Sequence, residues 1–228
     1  RSVLGTRHGE ERERPNPFTQ PAEKSFDEAQ APAAKIQGEE DDIFSRGLEL
    51  PTSLPRGVSV EGPMAEGGIS DIAQAMRDFN LGHFAQGAQD AFVIIVEAFA
   101  QNDRETLQGL LAPHVYAAFE GALKLREENG ESVSTEIHSV RKSEILKAGI
   151  IGGEARIVVR FIADETCVIR DREGNILSGD PDRITEMNDI WTFARDVKSR
   201  DPRWLLVETS DGDVNEDAKT PVPDSITV

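Results

Sequence analysis

The residues able to do chemistry are few, and their spacing limits what they can do. Asp164 and Glu165 sit inside the region of expected strands, and His138 lies upstream in the same region. A buried carboxylate beside a histidine is the minimum for acid–base catalysis. His138 alternates with Ile137, however, so an inward Ile137 turns His138 outward. Cys167 is the only cysteine, which rules out an intrachain disulfide and a zinc site built on thiolates. The four histidines, His8, His83, His114 and His138, lack metal-ligand spacing. Asp180-Pro181-Asp182 and Asp171-Arg172-Glu173 do not continue as a calcium loop and read as turns. No phosphate-binding glycine loop, nucleophile elbow or His-Glu-x-x-His is present. The sequence calls for no cofactor and no metal.

Composition narrows the partners. The 228 residues carry a formal net charge of −17, of which −14 falls after residue 60. Such a surface disfavours nucleic acid, whose binding needs Lys and Arg on phosphates, and attracts basic partners. The longest apolar run, Ala91 to Ala100, contains Glu97 and is too short to span a bilayer.

The elements that must position any site follow from the period of the apolar residues. Residues 1–65 carry seven prolines and the acid run Glu39–Asp42, and read as a tether. Within them, Asp42-Ile43-Phe44 and Gly57-Val58-Ser59-Val60 are short segments able to dock on a folded surface, and Phe18 and Phe26 are further candidates. The folded domain is placed at 66–211 and an acidic disordered tail at 212–228. Ser70 or Asp71 is read as the cap of a first helix, with Ile69, Ile72, Ala73, Met76 and Phe79 in helical register. Ala88, Ala91, Phe92, Ile95, Val96 and Phe99 then mark the strongest helix. Burying each large side chain there is worth roughly 1.5–3 kcal/mol. Asp103 caps a short helix, Pro113 starts another, and Asn129-Gly130 ends it.

After Glu131 the period becomes 2. Strands are expected around 133–139, 144–151, 154–162, 166–170 and 175–178, with turns at Gly152-Gly153 and Asp171–Gly174. Ile157, Val159 and Phe161 share one face, and Arg156, Val158 and Arg160 the other. Ile190–Ala194 and Trp204–Val207 form a last antiparallel pair, with Trp191 and Phe193 on one face. Helices first and strands afterwards predict an α+β domain with helices on one face of an antiparallel sheet.

Four segments carry a resemblance. They are Arg1-Ser-Val-Leu-Gly-Thr-Arg-His-Gly-Glu-Glu-Arg12, Gly87-Ala88-x-x-Ala91-Phe92-x-x-Ile95-Val96-x-Ala98-Phe99, Gly179-Asp180-Pro181 and Trp191-Thr-Phe-Ala-Arg-Asp196. Together they resemble the Tim44-like family, whose mitochondrial members anchor the import motor to the inner-membrane protein translocase. The α-proteobacterial members look most similar. The resemblance implies a cone-like fold similar to nuclear transport factor two, with helices around a curved sheet and an apolar pocket. It implies Ile95, Phe99, Tyr116, Phe119, Phe161, Trp191 and Phe193 as pocket or partner-binding residues. It implies Ile69, Ile72, Met76 and Phe79 as a lipid-facing stripe, although Asp71 and Asp78 oppose anionic lipid and only Arg77 is basic nearby. It further implies an apolar anchor before Arg1 and a place at the cytoplasmic face of a bacterial inner membrane. Chaperone recruitment does not carry over, because it resides mostly in a region of the mitochondrial proteins that has no counterpart here.

The function so expected is a non-enzymatic, membrane-associated adaptor or chaperone-like domain in protein translocation or membrane-protein biogenesis. Its partners would be membrane proteins or translocase or ribosome components, with a peptide or acyl chain in the pocket. The alternatives are a peripheral lipid-binding domain using the first helix, and an isomerase- or dehydratase-type enzyme in the cone.

Overall fold

A computed structural model describes residues 54–212. The described residues are α+β, with four helices followed by most of a six-stranded open sheet. Strand β1 (Val58–Val60) precedes helices α1 (Gly62–Ala75), α2 (Leu81–Ala100), α3 (Arg104–Leu110) and α4 (Pro113–Asn129). Strands β2 (Ser132–Ile151), β3 (Glu154–Arg170), β4 (Ile176–Gly179), β5 (Thr185–Asp196) and β6 (Leu205–Asp211) follow. The order in the sheet is β1-β2-β3-β5-β6. β1 runs parallel to β2 and the remaining pairs are antiparallel. β4 pairs with β3 beyond the end of β5, so β3 changes partner along its length.

The folded part starts earlier than the period predicts. Residues Val58–Val60 dock as a parallel edge strand, and α1 begins at Gly62. Pro63 sits in the first turn of α1, where its missing N–H costs nothing, so it opens the helix instead of interrupting a linker. Ser70 and Asp71 consequently lie mid-helix, and α1 ends before Phe79. The readings of residues 1–53 as a tether and of 213–228 as a tail lie outside the described residues.

The other helix boundaries follow from local chemistry. Asn80 Oδ1 accepts from the His83 N–H at 2.8 Å, capping α2. Asp103 accepts from the Thr106 N–H and hydroxyl, capping α3. Gly130 closes α4 in the left-handed conformation at φ 72°. In α2, Ala88, Ala91, Phe92, Ile95, Val96 and Phe99 are buried, as the spacing requires, and Val93 and Ile94 pack partly against the same core.

Two strands are longer than the sequence suggests. The runs 133–139 and 144–151 are one strand, β2, and the runs 154–162 and 166–170 are one strand, β3. The polar stretch Arg141–Ser143 looks like a break, but three register shifts absorb it while pairing continues. Along β3, Ile157, Val159, Phe161, Ala163 and Glu165 all face the helices. The outer face carries Arg156, Val158, Arg160 and Ile162, each half-buried.

Candidate functional site

Seven residues implied as a pocket come together beneath the helices, in a packed layer. α2 supplies Ile95 and Phe99 one turn apart, α4 supplies Tyr116 and Phe119, β3 supplies Phe161, and β5 supplies Trp191 and Phe193. All except the half-buried Tyr116 are buried in the core. Their rings contact one another in two groups. Phe99 meets Phe119 at 4.9 Å, and the buried Arg126 guanidinium lies 4.4 Å from the Phe99 ring while donating to Phe99 O at 2.9 Å. Burial pushes the Arg126 pKa down. Phe161 and Trp191 meet at 5.8 Å, with Phe92 stacked on Phe161 at 4.5 Å and Phe193 6.3 Å from Trp191. Tyr116 stands at the edge, its hydroxyl donating to Glu120 and accepting from Gln108.

One polar atom in this layer stands out. Trp191 Nε1 is buried and has no hydrogen-bond acceptor among the described residues. An unsatisfied buried donor costs about 1–3 kcal/mol.

The stripe implied for lipid is turned inward. Ile69, Ile72 and Met76 are buried, and Phe79 packs against Phe84 and Trp204 at 6.3 and 6.0 Å. The cause is the close approach of α1 to β2. A Cβ on Gly68 would come 1.9 Å from Ala148 O, so only glycine lets the helix lie this low. The stripe is therefore a seam of the core and is no exposed apolar face.

The acid–base candidates separate. His138 is exposed and shares a 2.8 Å hydrogen bond with Thr166 Oγ1 on the outer face, while Ile137 packs inward. Asp164 lies outward too, accepting from Ser139 and pairing with Arg141 at 3.2 Å. Glu165 points inward alone. It is 5% exposed, and Oε2 has no partner among the described residues. Burial, followed by the neighbouring Asp189, raises its pKa to about 7.

Glu165 lines a cavity of about 410 Å³ with Cys167, Ile169, Ser178, Gly179, Asp180, Arg183 and Thr185. The cavity forms where β3 exchanges β5 for β4. Gly179 fits that wall because a Cβ there would come 2.0 Å from Cys167 O, and its φ is +83°. The Cys167 thiol is pushed up by burial, so it is a poor nucleophile; Thr135 Oγ1 donates to it at 3.3 Å. The sequence signals Glu165 only as an acid within the sheet region, between two expected strands; its inward direction follows from the unbroken β3. The partner exchange that opens the cavity leaves no local signature. A second cavity, of about 430 Å³, lies beside the β5–β6 loop and includes His114, Arg156, Arg195 and Asp201.

Among the described residues no helix is long and apolar enough to cross a membrane, which says nothing about spanning strands. Among the same residues no group of three or more His, Cys, Asp or Glu could hold a metal ion.

The model of the Tim44-like domain family matches residues 65–211. In Caenorhabditis elegans, the "Probable mitochondrial import inner membrane translocase subunit tin-44" is 26% identical over 117 residues, covering 50% of this chain and 28% of that protein. In Mus musculus, the "Mitochondrial import inner membrane translocase subunit TIM44" is 22% identical over 145 residues, covering 62% of this chain and 32% of that protein. The chain thus spans under a third of the length of these curated relatives. Among solved structures, the intermembrane space region of chloroplast protein ARC6 aligns over 56% of this chain and 93% of its own, at 15% identity and a TM-score of 0.43.

Proposed function

Because the chain belongs to the Tim44-like domain family, we propose that it is a non-enzymatic adaptor associated with an inner membrane, acting in protein translocation or membrane-protein biogenesis. Relatives named as subunits of an inner-membrane translocase support the setting. The observation that carries the binding role is the orphaned Trp191 N–H within a layer of aromatic side chains. A partner's backbone carbonyl or an acyl ester would satisfy that donor, and the flanking rings would take its apolar part. Entry requires the layer to open between α2, α4 and the sheet. The partners are membrane proteins or translocase or ribosome components, and the natural setting is the cytoplasmic face of a bacterial inner membrane.

Crosslinking followed by affinity capture tests the role. Recovery of translocase, ribosomal or inner-membrane proteins is expected from the wild-type chain and diminished recovery from Phe99→Ala, with the fold checked by circular dichroism. A capture containing none of these classes overturns the proposal. Ligand entry should also shift the tryptophan fluorescence, and the shift should vanish in Trp191→Phe.

Glu165 favours a second reading, an acid–base enzyme of the isomerase type. A buried carboxyl titrating near neutrality is what such chemistry needs, but His138 lies on the opposite face and the Cys167 thiol is weakly acidic. Proton–deuterium exchange into small ketones in D2O, lost in Glu165→Gln, is the result that would favour this reading over the adaptor.

A further inference from the structure

We propose that the cavity at the β3 partner exchange binds an organic cation, the ammonium or guanidinium group of a basic side chain or amine. The cavity wall holds an acceptor that no described residue bonds. Glu165 is 5% exposed, it lines the cavity, and its Oε2 has no partner among the described residues. A buried acceptor left unmade is costly, and a donor that reaches it recovers that cost. The surroundings set the sign of the donor. Asp180 lines the same space and Asp189 stands next to Glu165 from β5. Ser178 and Thr185 in the wall add hydroxyls able to accept from an ammonium.

Among the described residues Arg126 and Arg183 lie nearby, and neither bonds Glu165 Oε2. Arg126, on α4, is turned to Phe99, where its guanidinium stacks and donates to the carbonyl. Arg183, on the loop before β5, is exposed, so its guanidinium can swing into solvent when another cation enters. An anion would meet Glu165, Asp180 and Asp189, and the chain's net charge of −17 repels it from a distance.

Size and rim agree with a cation on an alkyl stem. About 410 Å³ lies at the small end of ligand pockets, which run about 300–1,000 Å³. Leu177 and Ile184, chain neighbours of lining residues, are 56% and 60% exposed. They lie outside the lining and leave exposed apolar surface for the residues flanking a lysine in a peptide.

Binding should release a proton, because the cation favours ionised Glu165. With a pKa of about 7, affinity should rise about tenfold between pH 6 and pH 8. Cys167 lines the cavity and is the only cysteine of the chain, so its alkylation rate with ligand, divided by the rate without ligand at the same pH and in the same variant, reports occupancy. The experiment measures iodoacetamide alkylation of the 228-residue chain against cadaverine, N-acetyl-lysine methylamide and a short peptide with one Lys between leucines. Protection of Cys167 that strengthens with pH is expected, reduced at least tenfold in affinity by Glu165→Gln. Tighter binding of the peptide than of cadaverine identifies a partner's side chain as the source; the reverse identifies a free amine.

Absence of protection by any of these cations up to ~10 mM, or protection unchanged in Glu165→Gln, overturns the proposal. The pH dependence and protection are read on the wild-type chain, so they do not depend on the variant folding. The site stands apart from the adaptor reading. A capture without translocase partners leaves it intact, and absence of thiol protection leaves the adaptor intact.

Discussion

Glu165 makes stability depend on pH in a direction opposite to most carboxylates. Its folded pKa is about 7 against an ordinary 4.5, so the folded state holds a proton that the unfolded state has released. Stability therefore falls as pH rises from the unfolded value through the folded one, and levels above it. The full loss is on the order of 3 kcal/mol for a shift of this size in a group this buried. Glu165→Gln should leave stability near pH 4 little changed and raise it at pH 8, flattening the profile between. Urea unfolding at a series of pH values checks this. An equal slope in the variant would mean that Glu165 is not the group that titrates. The expected strands 154–162 and 166–170 leave this residue between them, so neither its inward direction nor its isolation is legible until β3 is seen to run unbroken. Its isolation depends on His138 facing away, which period 2 does give, and on β4 replacing β5, which it does not.

At the scale of elements, α1 and the β5–β6 loop each depend on one residue, Gly68 and Arg195. Gly68 brings the α1 backbone onto Ala148 O, and a methyl group there would have to push the helix away. Gly68→Ala should destabilise by about 1–3 kcal/mol, although alanine is the better helix former, while Gly67→Ala, with open space around it, should stabilise slightly. Thermal melts of the two variants decide the point, and equal melting temperatures would refute it.

Arg195 ties the loop between β5 and β6. It donates to Asp201 O at 2.9 Å and Asp78 Oδ2 at 2.7 Å, and its side chain is 6% exposed while that of Asp78 is 61% exposed. The two partners are therefore unequal. Arg195→Ala removes charge-assisted bonds to a carbonyl and a carboxylate, each worth about 1.5–3 kcal/mol. Asp78→Ala removes a solvated group and leaves Arg195 its carbonyl, so it should cost about 1 kcal/mol or less. The reverse order in chemical denaturation would show the loop to be held otherwise. The sequence marked this hairpin and the inward Trp191 and Phe193, because alternation survives where both faces are covered. The start of α1 was missed because proline serves a linker and a helix's first turn equally well. The unbroken β2 and β3 were missed because a bulge resembles a strand end until its partner is known.

The whole molecule bears on how it would meet a membrane. The residues that would have lain on lipid, Ile69, Ile72 and Met76, are spent on the core, and Phe79 is engaged with Phe84 and Trp204. The chain carries −17 in formal charge, and an anionic leaflet rewards only basic residues, by about 1 kcal/mol each near the surface. Neither the apolar nor the electrostatic contribution to surface binding is thus available from this first helix. The 228-residue chain is expected not to float with vesicles of neutral lipid, nor with vesicles containing anionic lipid, at low or high salt. Association with inner membranes in cell fractions should then follow a protein partner, resist competition by anionic vesicles, and weaken at high salt in proportion to the basic groups that partner presents. Flotation with anionic vesicles alone would reverse the argument. Lipid contact through α1 requires the helix to leave β2 and expose Ile69 and Ile72, which accelerated hydrogen exchange along α1 on adding vesicles would reveal; flotation without that acceleration would place the contact outside α1.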